Sequence, residues 1–123
     1  MTTHSLIRSL SQAEFDLFAK ISGDNNPIHV DPEFSARTRF GRTVSHGMLL
    51  YTVLWGLVQT HYPGARQAGQ TLMFPNPAYA DDALRFEIAE TAIDSDLRIL
   101  ATKVSRVADN TVVLDGHASI SLS

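Results

Sequence analysis

Hydrophobic residues along this chain keep a helical period in the first half and a strand period in the second. Residues 4–10 alternate loosely through Leu6, Ile7 and Leu10, which predicts a short first strand. Ser11-Gln12-Ala13-Glu14 then has the form of a capping box, with Ser11 as N-cap and Glu14 reaching back to its amide. Phe15, Phe18, Ala19 and Ile21 follow at roughly helical spacing until Gly23 stops them. Asp31-Pro32 predicts an N-cap with proline in the first turn of a short helix reaching about Arg39, and residues 40–44 a loop. From Ser45 a longer helix is predicted. Met48, Leu49, Tyr51, Thr52, Leu54, Trp55 and Val58 leave it almost no polar face, so it must be wrapped on most sides. Pro63-Gly64 ends it.

Beyond that point the period falls to two. Thr71–Phe74, Leu84–Ile93, Leu97–Val107 and Thr111–Leu122 read as four strands. Pro75-Asn76-Pro77 with Asp81-Asp82 makes one separator, and Asp94-Ser95-Asp96 and Asp109-Asn110 are short enough for hairpins. One long apolar helix and about five antiparallel strands solve each other's burial problem, which predicts an α+β fold with the sheet curled around the helix. Residues 1–123 are read as a single domain, with no repeat, linker or low-complexity segment. A sheet of this size leaves an edge uncovered, so a homodimer or dimer of dimers is expected.

Composition narrows the function classes. With 10 Lys and Arg against 13 Asp and Glu, the net charge of −3 lacks the basic excess of a nucleic-acid binder. There are no cysteines, which excludes disulfides, thiol catalysis and thiolate-held zinc. The first residues lack the charged-then-apolar build of a signal peptide, and Met48–Val58 is too short to cross a bilayer. The expectation is a cytoplasmic protein with neither membrane nor nucleic-acid partner.

The chemistry is concentrated in Ser22-Gly23-Asp24-Asn25-Asn26-Pro27-Ile28-His29 and in Ser45-His46-Gly47-Met48. The first stretch puts a carboxylate, an amide and an imidazole into six residues stiffened by a proline. The second opens a helix with a glycine, whose amide can meet a ligand with no Cβ in the way. An acid, a base and a free backbone N–H are the parts needed to move protons about a polarised carbonyl. No two histidines stand at a zinc-like spacing, so no metal is expected.

Together with Phe18-Ala19, Thr38-Arg39-Phe40-Gly41 and the run into Leu49, these motifs closely resemble the MaoC-like (R)-specific enoyl-CoA hydratases. The strong part of the resemblance covers residues 15 to 58. It implies a hot dog fold and reversible hydration of trans-2-enoyl-CoA, or dehydration of (R)-3-hydroxyacyl-CoA, with no cofactor; the thioester is the substrate, on CoA or on acyl carrier protein. It further implies Asp24 and His29 as the catalytic pair, Asn26 as their orienter and the Gly47 amide as donor to the thioester oxygen. Three positions depart from the family's usual pattern. Ser45 brings a hydroxyl toward the site, Asp81 replaces a turn glycine, and Pro75 stands where a strand residue is expected.

Around these, His46 is read as bonding the loop, with substrate contact as the alternative. Tyr51 and Trp55, one and two turns beyond Gly47, are core residues that are also candidates for the floor of an acyl pocket. Arg39 and Arg42, with Arg37, form a basic cluster suited to CoA phosphates. A hot dog thioesterase is the first rival, although residues 48–62 carry no Asp or Glu to serve it. A non-catalytic acyl-thioester-binding subunit is the second.

Overall fold

The computed structural model describes residues 2–122, leaving Met1 of the N-terminal reading outside the described residues. The chain begins with strand β1 (Thr3–Ser9) and helix α1 (Gln12–Ser22). The predicted capping box is formed: the Glu14 amide donates to Ser11 Oγ at 3.2 Å, and the Ser11 amide to Glu14 Oε1 at 3.1 Å. Gly23 ends α1 in the left-handed region at φ 81°, with its N–H on Ala19 O. Two short helices follow, α2 (Pro27–Val30) and α3 (Pro32–Ala36). The α3 helix stops three residues short of Arg39 because the Thr38 hydroxyl donates to Ser35 O at 2.7 Å and accepts the Phe40 amide at 3.2 Å. Those bonds offer the backbone an alternative to another helical turn.

The long helix α4 (Gly47–His61) starts two residues after the expected Ser45, whose amide donates instead to Ala78 O at 2.7 Å. Leu49, Leu50, Leu54, Leu57 and Val58 are buried along it. Burying side chains of this size contributes about 1.5–3 kcal/mol each, so α4 holds its place by packing more than by helix propensity.

The remaining elements are β2 (Arg66–Gln70), β3 (Ala83–Asp94), β4 (Leu97–Arg106) and β5 (Val112–Ser121). All pairings are antiparallel, in the order β1-β3-β4-β5-β2. Leu84, Phe86 and Ile88 of β3, Leu100 and Val104 of β4, and Leu114, Ala118 and Ile120 of β5 are fully covered and join the residues of α4 in one core. At the end of α4, the Tyr62 hydroxyl donates to Glu90 Oε2 at 3.0 Å, and Arg98 reaches the same carboxylate at 3.2 Å. Burial and that carboxylate push the Tyr62 phenol up, so it stays a donor. The two hairpin turns are carried by Ser95 at φ 55° and Asn110 at φ 58°, and Asp81 takes the left-handed conformation at φ 68°.

The strand expected at Thr71–Phe74 is displaced. Pairing with β5 runs over Arg66–Gln70, with a bulge between Gln67 and Gly69, and residues 71–74 hold to β5 outside that ladder, by the Thr71 amide on His117 O at 2.9 Å and an isolated bridge between Met73 and Asp115. Arg66-Gln67-Ala68-Gly69-Gln70 lies at the sheet edge, almost wholly exposed, so it carries no alternating apolar residues to betray it. The segment after it crosses directly over Gly116, where an added Cβ would lie 1.9 Å from Thr71 O. Among the described residues no helix is long and apolar enough to cross a membrane.

Candidate active site

The turn between α1 and α2 places the candidate pair, Asp24 and His29. Gly23 reverses the chain, and the Asp24 amide donates to Ser22 Oγ at 3.1 Å. Asn26 is the N-cap of α2: its Oδ1 accepts the Ile28 amide at 3.1 Å, with Pro27 in the first helical position. Its own amide points to Asp24 Oδ1 at 3.4 Å. Asn26 therefore sits beside the pair, one end fixing the helix that carries His29 and the other touching the carboxylate.

His29 is buried, and its Nδ1 donates to Val44 O at 2.8 Å. That bond sets the tautomer, because a carbonyl can only accept, so the neutral ring presents the lone pair of Nε2. Nε2 lies 3.8 Å from Asp24 Oδ2. The gap is too long for a direct bond and short enough for one water to donate to both. The two partners differ in wetness: the Asp24 side chain is 57% exposed and that of His29 10%.

His46 lies beneath them. Its ring stacks on His29 with centroids 3.8 Å apart, its Nε2 donates to Asp24 O at 2.8 Å, and Phe18 meets it edge-on at 4.9 Å. Burial, reinforced by the neighbouring His29, outweighs the bond to Asp24 and holds the His46 pKa below the ordinary histidine value. Its Nδ1 is buried without a partner among the described residues. Folding thus brings Asp24, His29 and His46 together, each with a potential ligand atom within 4.8 Å of the others, a cluster that sequence spacing did not suggest. The donor set fits a metal poorly. Stacked imidazoles, here 24° from parallel, direct their in-plane lone pairs side by side instead of toward one point, and the His46 nitrogen facing Asp24 already carries its hydrogen to a carbonyl.

Gly47 is the first residue of α4. His46 gives that helix no side-chain cap, and among the described residues the Gly47 and Met48 amides meet no acceptor. Free donors at the positive end of a 15-residue helix are suited to hold a developing oxyanion. The Phe74 ring covers the Cα of Gly47 so closely that any Cβ would stand 2.7 Å from it.

These groups open onto a cavity of about 370 Å³. Asp24, His29 and Ser45 form its polar side, and Ile28, Val44, Met48, Leu50, Phe74 and Val113 its apolar side. Of the residues singled out from sequence, His46, Gly47 and Arg39 also border it. Ser45 turns its hydroxyl to His46 O at 3.0 Å. Tyr51, Trp55 and Arg42 lie outside its wall, against expectation. The Tyr51 hydroxyl bonds Gln67 Oε1, and Trp55 packs half-buried against the core. The Arg42 guanidinium is taken up by the Asp82 carboxylate at 3.1 and 3.2 Å, by Ala80 O at 2.7 Å and by the Tyr79 ring beneath it. Sequence reasoning missed the wall formed by Phe74 to Ala78. Its signal was the Pro75-Asn76-Pro77 interruption, and it is held beside the site by the Ser45–Ala78 bond and the Val44–Tyr79 bridge.

A five-stranded sheet around a central helix, with an Asp–His pair and the start of that helix lining one cavity, defines a hot dog protein with the groups for acid–base chemistry. The chain belongs to the MaoC-like domain family, whose model matches residues 2–112. It is 35% identical over 121 residues to an (R)-specific enoyl-CoA hydratase of Aeromonas caviae, covering 95% of this chain and 90% of that one. A mitochondrial 3-hydroxyacyl-[acyl-carrier-protein] dehydratase of Arabidopsis thaliana is 29% identical over 116 residues, covering 91% of this chain and 70% of the relative. The solved structure of the A. caviae (R)-hydratase involved in PHA biosynthesis superposes with a TM-score of 0.94 at 32% identity, covering 99% of this chain and 95% of that one.

Proposed function

We propose that the protein is a hydro-lyase that adds water across the C2–C3 double bond of a trans-2-enoyl thioester to give the (R)-3-hydroxyacyl product, and catalyses the reverse dehydration. The observation that carries this reading is the 3.8 Å gap between Asp24 Oδ2 and His29 Nε2, which borders the same cavity as Gly47 at the head of α4. The names and extent of the relatives support the substrate class and the stereochemistry.

In this reading both side chains accept from one water, leaving its lone pair free to attack C3. As the C3–O bond forms, Asp24 takes one proton and the π electrons move onto the thioester oxygen, held by the Gly47 N–H. The protonated Asp24 then delivers its proton to C2, and the electrons return from the oxygen. His29, whose Nδ1 is committed to Val44 O, holds the hydrogen that stays on the new hydroxyl. The reaction is proton transfer throughout, so no metal or redox cofactor is proposed. Each proton-transfer group is worth roughly 10²–10⁴-fold in rate. One oxyanion donor is worth about 3–4 kcal/mol.

Arg39 is the proposed contact for a CoA phosphate, since it is exposed at the cavity wall and pairs with no carboxylate among the described residues. Assembly as a homodimer is proposed from the free edges of β1 and β2 and from the exposed Met48, Met73 and Phe74 beside the cavity. The cytoplasm is the proposed location, on the sequence reading alone. Loss of enoyl-thioester absorbance with crotonyl-CoA tests the function. Release of free thiol without hydration would replace it with the thioesterase reading.

A further inference from the structure

His46 touches both members of the Asp24–His29 pair and has no assigned part in the reaction. Its Nε2–H holds the Asp24 carbonyl at 2.8 Å, and its ring face lies 3.8 Å from that of His29. Asp24 needs such a hold. It follows a left-handed glycine in an exposed turn, and among the described residues the one hydrogen bond its carboxylate accepts is the long one of 3.4 Å from the Asn26 amide. Among the described residues the His29 ring is hydrogen-bonded at Nδ1 alone, so the Val44 bond fixes its direction but not its tilt. A flat neighbour stacked against it supplies the missing restraint.

From this we infer that His46 is a positioning residue, a buried neutral ring that sets the spacing between Asp24 and His29 without itself exchanging a proton. It is 2% exposed, which leaves almost none of the ring for a substrate to touch. Phe18 closes it from the side of α1. Burial lowers the pKa of the His46 ring and so favours its uncharged form, in which the stacked face of His29 meets no added charge.

The inference rests on the hydratase reading, and two substitutions separate them. His46→Gln places an amide N–H close to where Nε2–H stands and keeps the grip on Asp24 O; His46→Met fills similar space and donates nothing. With crotonyl-CoA, His46→Met is expected to lose roughly 10–100-fold in kcat with KM within about threefold, the scale of an ångström of misplacement. His46→Gln should recover kcat to within about fivefold of the parent, and its acid limb should stay where the parent's lies. Equal kcat for Met and parent, or Gln as poor as Met, overturns the inference. So does a displaced acid limb in the Gln variant, which would make His46 a proton carrier. Crystal structures of both variants give a readout that needs no turnover: the Asp24–His29 separation should stay near the parent value in Gln and change by about 1 Å or more, or split, in Met. If the parent protein hydrates no enoyl thioester, the hydratase reading fails on its own. The Met structure then decides for His46, and an unmoved pair sinks it.

Discussion

The ring of Phe74 occupies the place where a side chain on Gly47 would have to stand, with three of its carbons within 2.9 Å of an added Cβ. The glycine is at the head of α4, where an alanine would suit the helix better and would still offer its N–H. Space is therefore the reason for glycine at this position.

Gly47→Ala should lower kcat/KM for crotonyl-CoA by roughly 10–100-fold, because the displaced ring reshapes the oxyanion end of the cavity. Adding Phe74→Ala in the same chain should recover at least about tenfold, since the clash has gone and the amide has not. A double-mutant cycle measures this directly, and strictly additive losses would refute it.

Asp24→Asn and His29→Ala should each reduce hydration by at least about a hundredfold, the first as the lower end for losing a proton-transfer group and the second as the scale of a misplaced water. Asp24 is exposed and His29 stands beside an existing cavity, so the circular-dichroism melting curve should move by only a few degrees. Parent-like turnover in either variant would remove that residue from the mechanism.

The two arginines should behave differently. Arg39→Ala is expected to raise KM for a CoA thioester several-fold while leaving KM for a truncated pantetheine thioester unchanged. Arg42→Ala should leave both alone, because its guanidinium already braces Asp82 and Ala80. Its cost should appear as a small fall in melting temperature, in keeping with an exposed ion pair worth less than about 1 kcal/mol. A phosphate-dependent KM change in the Arg42 variant would reverse the assignment.

Acid should loosen the fold through His46. Its pKa is lowered by folding, so below the ordinary histidine value of 6.5 the unfolded chain binds a proton that the native state refuses. Stability from this group is complete above that pH and is lost as pH falls through 6.5 toward the native pKa. Melting temperatures of the parent should therefore fall faster between pH 7 and pH 5 than those of His46→Gln. Parallel curves would show that His46 contributes nothing to acid sensitivity.

Much of this could be read along the chain because the physics is local. The capping box is complete within Ser11 to Glu14, Gly23 ends α1 by its own backbone freedom, and Asp31-Pro32 starts α3 through its own side chain. What escaped depends on distant partners. Phe74 borders the site only because Ser45 and Ala78 are tied together, a bond spanning 33 residues that neither local sequence announces. Helical spacing put Tyr51 and Trp55 near the face of Gly47, but the apolar wall is supplied by Leu50, Val113 and Phe74 instead. Arg42 looked available until folding supplied Asp82. The edge strand went unseen because neither of its faces is buried.

One carboxylate open to bulk solvent beside one sheltered imidazole has a bearing on isotope flow. In the proposed mechanism the proton that Asp24 takes from the attacking water is the one it delivers to C2, while the other hydrogen, held toward the sheltered His29, stays on the new hydroxyl. Hydrogen label at C2 and oxygen label at C3 therefore arrive from one solvent molecule, and in either direction the carboxylate returns to its starting form. The site begins each cycle with no memory of the direction in which it last ran.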